Sequence, residues 1–104
     1  MIDEIRRRVE RGDFEFSQHA VDQAIIRHIS VRELREAITG GEVIEVYRED
    51  KYGPNGPSCL IFGMTSVGRP LHVQCSDPTR PLVKIITVYE PDAALWIEFK
   101  VRRS

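Results

Sequence analysis

A chain of 104 residues and 12.0 kDa spans a single domain with a small core, and a second domain does not fit. Hydrophobic residues at 41 % and charged residues at 30 % are ordinary globular values, and no window supplies the run of about 18 apolar residues that a membrane span needs. Fifteen Lys and Arg against sixteen Asp and Glu give a net charge of −1, which excludes a global basic field drawing in nucleic acid and leaves only a local patch to meet a polyanion.

In chain order, Ile2, Ile5 and Val9 recur at i, i+3 and i+7 while Arg6, Arg7, Glu10 and Arg11 fill other positions, which predicts a short amphipathic helix ended by Gly12. Phe14-Glu-Phe16 reads as an extended joint. Ser17 is a good N-cap for a second helix running to about His28, with Ala20, Val21, Ala24 and Ile25 as its apolar face. Ser30-Val-Arg-Glu33 has the form of a capping box opening a third helix, whose buried stripe is Val31, Leu34, Ala37 and Ile38. Gly40-Gly41 is expected to stop that helix with a left-handed residue.

From Val43 the apolar period shortens toward two, predicting strands over Val43 to Tyr47, Ser58 to Thr65, Leu71 to Ser76 and Leu82 to Tyr89. Tyr52-Gly-Pro-Asn-Gly-Pro57 is a turn-rich loop, Ser66-Val-Gly-Arg-Pro70 a hairpin and Asp77-Pro-Thr-Arg-Pro81 a short loop. Trp96-Ile-Glu-Phe-Lys-Val101 alternates again, so residues 97–104 are either a fifth strand or a terminal tail. The expected fold is α+β: two to three N-terminal helices packed on one face of a four-stranded, or five-stranded, antiparallel sheet. Charges in the first eight residues stand where a signal peptide needs an apolar stretch, so a cytoplasmic setting is expected.

Candidate chemistry starts on the second helix, where His19, Gln23 and Arg27 at i, i+4 and i+8 stack on one face. A merely solvated face has the same spacing; the sharper reading gives His19 a proton to move and Arg27 a developing negative charge to stabilise. His72 interrupts the apolar run Leu71-His-Val-Gln-Cys-Ser76, with polar residues at 72, 74 and 76 alternating against Leu71, Val73 and Cys75. Thr87 and Tyr89 share a face of the following strand. A pairing of His72 with Thr87 gathers all three, and a slip of one residue separates them. Arg69, between Gly68 and Pro70 at a hairpin tip, is placed to reach a ligand over the sheet.

Cys59 and Cys75 lie about equally far from the hairpin centre and are expected to face each other as buried, reduced thiols. No CxxC, HxxxH or HExxH spacing is present, so neither a metal nor a cofactor is expected. The cations Arg6, Arg7, Arg8 and Arg11 near the start, and Lys100, Arg102 and Arg103 near the end, read as solvated charge.

Six ordered blocks together resemble a known family: Ser17-Gln-His19-Ala20; Arg27-His28-Ile29-Ser30; Ala37-Ile38 with Gly41-Glu-Val-Ile-Glu; Cys59-Leu-Ile-Phe-Gly63; Gly68-Arg-Pro-Leu-His72-Val73; and Ile86-Thr-Val-Tyr89-Glu-Pro91 with Trp96. The chain is similar over about residues 14 to 96 to the DUF4258 family. That family has no established activity, and its members look like remote relatives of RelE and barnase-type ribonuclease toxins; some are encoded beside zinc-finger, helix-turn-helix antitoxins of the kind that accompany MqsR-like toxins. The resemblance implies a RelE/barnase-like fold, RNA cleavage, and a signature at His19, Arg27, His72, Thr87 and Tyr89, with Gln23 and Arg69 toward the substrate. Many members carry arginine where this chain has Gln23 and glycine where it has His28, which thins the cationic face.

Two functions of different class follow. One is a metal-independent endoribonuclease of toxin type, in which the 2′-hydroxyl attacks the adjacent phosphate, His19 or His72 moves protons, Arg27 stabilises charge and Tyr89 positions a base. Its partners are an RNA and an antitoxin protein. The other is a non-catalytic module that pairs through a sheet edge or its C-terminal strand, with a homodimer as one outcome.

Overall fold

In the computed structural model, residues 1–48, 57–78 and 81–104 are described. Helix α1 (Ile2–Arg11) buries Ile5 and Val9 and ends at Gly12, whose φ of 83° only glycine adopts without cost. Strand β1 (Phe14–Phe16) follows, then α2 (Gln18–Ile26), capped by the Ser17 hydroxyl accepting from the Ala20 amide. Helix α3 (Val31–Thr39) opens with the predicted capping box, both reciprocal bonds between Ser30 and Glu33 being present. Strands β2 (Glu42–Tyr47), β3 (Ser58–Met64), β4 (Pro70–Ser76) and β5 (Val83–Tyr89) come next. Two short strands, β6 (Trp96–Ile97) and β7 (Val101–Arg102), complete the chain.

The main sheet has five strands in the order β1-β5-β4-β3-β2. It is mixed, which corrects the antiparallel expectation: Phe14-Glu-Phe16 is a strand and pairs parallel to β5, Phe14 opposite Val83 and Phe16 opposite Ile85. A three-residue strand carries too little periodicity to announce itself, and its parallel pairing is set by the chain passing from α1 back along β5. The fifth strand is therefore β1. Trp96 to Val101 is not a strand of this sheet; β6 and β7 fold back on each other as a separate hairpin.

One core cluster joins Ile5, Val9, Ala20, Leu34, Ala37 and Ile38 of the helices to Cys59, Ile61, Leu71, Val73, Cys75, Ile85 and Val88 of the sheet. Cys59 and Cys75 are register partners in it, both free, and burial pushes the Cys59 thiol up to about 12 and the Cys75 thiol well above its usual value, so both stay protonated. Two residues expected on buried helix stripes are exposed. Ile25 is 68 % exposed because α2 meets the sheet through the small side chains Ala20 and Ala24, which make the contact strip narrow; Val31 lies in the first turn of α3, ahead of its seam. Gly40 ends α3 at φ −99°, and Gly41 has no positive φ either; Gly41 is needed because a Cβ there would lie 2.4 Å from the Ala37 carbonyl oxygen and 2.7 Å from that of Phe62. The loop predicted at 52–57 falls, apart from Pro57, outside the described residues. Among the described residues no helix is long and apolar enough to cross a membrane.

Candidate functional site

Strand alternation sends Leu71, Val73 and Cys75 into the helical core and His72, Gln74 and Ser76 to the opposite side of the sheet. All six are buried, so this second side is covered too. The register puts His72 opposite Tyr89 and Gln74 opposite Thr87, with a bulge that skips Ile86 before Cys75 meets Ile85. This differs by two residues from the His72–Thr87 pairing considered from sequence. A shift of two preserves the face, so His72, Thr87 and Tyr89 do share one.

His72 has no exposed surface. Its Nδ1 lies 3.1 Å from the Tyr89 hydroxyl and its Nε2 2.6 Å from the Phe99 carbonyl oxygen. A carbonyl only accepts, which assigns the proton to Nε2 and leaves Nδ1 to accept from the Tyr89 O–H. The ring is enclosed edge-on by Trp96 at 4.4 Å, Tyr89 at 5.2 Å and Phe62 at 6.0 Å. Burial is the largest influence on it and pulls its pKa below 6.5, so the neutral imidazole is the resident form. Nearby, Glu45 accepts two hydrogen bonds from Arg102, at 2.9 and 3.1 Å, and one from the Tyr47 hydroxyl. Burial pushes the Glu45 carboxyl up, but these bonds outweigh it and hold the group below its usual range. Arg102 also lies 4.6 Å over the Trp96 ring.

The second-helix row stands elsewhere. Ala20 of α2 enters the core, so His19 and Arg27 project from the layer opposite His72, and both are exposed. Arg27 Nε donates to the Gln23 side-chain oxygen at 3.0 Å. The fold thus brings His72, Thr87 and Tyr89 together and leaves His19, Gln23 and Arg27 as a separate surface row.

Arg69 does not lean over the sheet. Its guanidinium turns back to the C-terminal end of α2, donating to the carbonyl oxygens of Arg27 at 2.7 Å and His28 at 3.0 Å, and it pairs with Glu33 at 3.2 Å and Glu90 at 3.5 Å. The open carbonyls of a helix C-terminus favour a cation there. Glu33, held below the usual carboxylate range first by the Ser30 amide and then by Arg69, links the same clamp to the start of α3. Arg69→Lys is expected to cost about 1–3 kcal/mol, since one ammonium cannot serve two carbonyls and a carboxylate in a fork. Thermal melts of the two proteins check this; equal stability would mean that the clamp contributes nothing.

Residues that sequence reasoning passed over are Trp96, Phe99 and Glu45, which enclose or flank His72. The alternation at 96–101 was the visible signal, but it pointed to a strand and not to a cover. Among the described residues no three His, Cys, Asp or Glu side chains cluster as a metal site requires. A family model described as a domain of unknown function (DUF4258) matches residues 16–90. No curated protein and no solved structure matches the chain.

Proposed function

From a chain that belongs to the DUF4258 family, whose description assigns no activity, we propose a metal-independent endoribonuclease of toxin type with its chemistry on the His72–Tyr89 face. The observation that supports this reading is the hydrogen-bonded pair itself, a neutral imidazole whose one Nδ1 lone pair accepts the Tyr89 proton and becomes a base once that hydroxyl turns to the substrate. In the proposed step, Nδ1 takes the proton of a ribose 2′-hydroxyl, the 2′-oxygen bonds to the adjacent phosphorus and the bond to the 5′-oxygen breaks. Tyr89 gives its proton to that leaving oxygen, and the products are a 2′,3′-cyclic phosphate and a 5′-hydroxyl. Thr87, beside Tyr89, would hydrogen-bond the substrate. The exposed row of His19, Gln23 and Arg27 would contact the phosphate backbone at most, since it stands on the other layer.

The purified protein is expected to cut single-stranded RNA in the presence of a chelator, leaving cyclic phosphate ends. Tyr89→Phe, which removes one hydroxyl and little packing, should slow this by about 10²–10⁴-fold. Intact RNA with the natural chain, or an unchanged rate in the variant, would overturn the reading.

The second reading, a non-catalytic pairing module, draws on the β2 edge. Strand β2 is last in the sheet order, and Val46 on it is 48 % exposed. A concavity of about 360 Å³ lined by Val46, Tyr47, Arg48 and Pro57, among others, opens at the same edge. Intact RNA together with a dimer in solution would favour this module over the nuclease.

A further inference from the structure

We infer that residues Asp92 to Arg103 form a displaceable strap over the His72–Tyr89 face, closed as described above and open when that face meets RNA. This rests on the reading of that face as the chemical site. Four observations converge on it. First, the strap has its own small sheet, and among the described residues no backbone–backbone hydrogen bond joins it to the five-stranded sheet; the bonds of Leu95, Trp96, Lys100 and Arg103 amides all stay within it. It can therefore lift without breaking the ladder of the five-stranded sheet, giving up only its own two-residue hairpin.

Second, what holds it down is a set of side-chain contacts, several of them at the surface. His72 donates to the Phe99 carbonyl, Arg102 pairs with Glu45, Lys100 lies 3.2 Å from Glu42, and the Phe99 and Phe62 rings meet at 6.1 Å. The two ion pairs among these are individually weak and screened by salt, which leaves the buried Trp96 ring against His72 as the larger hold. Third, the closed form strains its own turn. Lys100 donates its amide to the Ile97 carbonyl, and the two central residues, Glu98 and Phe99, have φ of 51° and 61°. That pattern suits Asn-Gly; a glutamate and a phenylalanine adopt it at a cost that contact with His72 and Phe62 offsets only while the strap is closed. Fourth, the family match covers His72 and Tyr89 and ends at Glu90, so the strap lies outside the matched residues.

Closure also explains an otherwise contradictory site. A proton-transfer pair needs access to substrate, yet His72 has none, and the residues that deny it access are Trp96 and Phe99 of the strap itself.

Trp96 is the chain's single tryptophan, which makes it a local reporter. Acrylamide quenching of its fluorescence, and hydrogen exchange of the amides of residues 92–103, should be measured on the full chain and two variants. Arg102→Ala removes an anchor and is expected to raise the open fraction about two- to fivefold, the factor an exposed ion pair supplies. Glu98→Gly relieves the turn and is expected to lower it. Both changes should leave β3 to β5 amides as protected as before, and RNA cleavage should follow the open fraction, up in the first variant and down in the second. Strap amides that exchange only together with those of the central strands would overturn the strap. If the strap opens as expected and no variant cleaves RNA, the cover stands as a device and the ribonuclease reading fails. Cleavage that ignores the open fraction would leave the enzyme and discard the strap.

Discussion

Gly63→Ala is expected to yield little folded protein. A Cβ at this position would lie 1.8 Å from the Ala37 carbonyl oxygen and 2.6 Å from its carbonyl carbon. Both obstacles are backbone atoms of α3, which cannot rotate aside as a side-chain tip could; the whole helix would have to back away from β3. Leu34, Ala37 and Ile38 of that helix are buried against the sheet, so a retreat opens space along the entire seam. A loss of about 4 kcal/mol or more follows, at the extreme end of single substitutions and close to the total stability of a domain of this size. Soluble yield and a thermal melt measure it, with a drop in Tm of at least about 16 °C if any folded protein is recovered. Because the obstacle is main chain, adding Ala37→Gly should not rescue the variant. A rescue, or a well-folded single variant, would show that α3 and β3 are not in direct backbone contact.

The same glycine illustrates what could be read from sequence. The helix boundaries were legible because their causes are local: Ser17 and Ser30 cap, Glu33 completes the box, and Gly12 supplies a left-handed residue. The strands β2 to β5 were legible within one or two residues at each end, since their period and the turns between them are also local. Long-range facts were not. The close approach at Gly63, the parallel pairing of Phe14-Glu-Phe16 and the return of Arg69 to the α2 carbonyls depend on which segments meet, and no short window contains that.

The candidate site divides in the same way. Alternation correctly set His72 apart from Leu71 and Val73; the resemblance named Tyr89 beside it without fixing the register, which places the two opposite each other. The second-helix row, by contrast, had good helical spacing but the wrong layer. Ala20 decides that layer by entering the core, which sends His19 and Arg27 outward. Polar residues at 72, 74 and 76 marked a polar face, and each of them is buried: Gln74 donates its side-chain amide to the Ser58 hydroxyl, and the Ser76 hydroxyl accepts from the Lys84 amide. Sequence alone shows polarity and periodicity; it does not show that a C-terminal hairpin folds back over one end of a sheet.

The burial of His72 leads to the second large effect, a loss of stability on mild acidification that belongs to one residue. Its folded pKa lies below 6.5, chiefly because burial disfavours the imidazolium; of the charged groups nearby, Glu45 opposes that shift and Arg102 adds to it. The unfolded chain therefore takes up this proton at higher pH than the folded one does. Stability from the neutral pair is complete above pH 6.5 and is lost as pH falls below that value toward the folded pKa. Glu33 and Glu45, both held below 4.5, make their contribution above that value and lose it at lower pH, so the window between 6.5 and 5 isolates the histidine well enough to test. His72→Gln offers an amide N–H to the Phe99 carbonyl and an oxygen to the Tyr89 hydroxyl without titrating. Denaturant midpoints of the natural chain should fall across that window while those of the glutamine variant stay more nearly level. His72→Ala, which leaves a cavity and unsatisfied groups on Phe99 and Tyr89, should cost about 2–4 kcal/mol at neutral pH. Parallel pH profiles for the natural and glutamine proteins would mean that His72 is not held neutral, and the proton assignment behind the proposed RNA cleavage would fall with it.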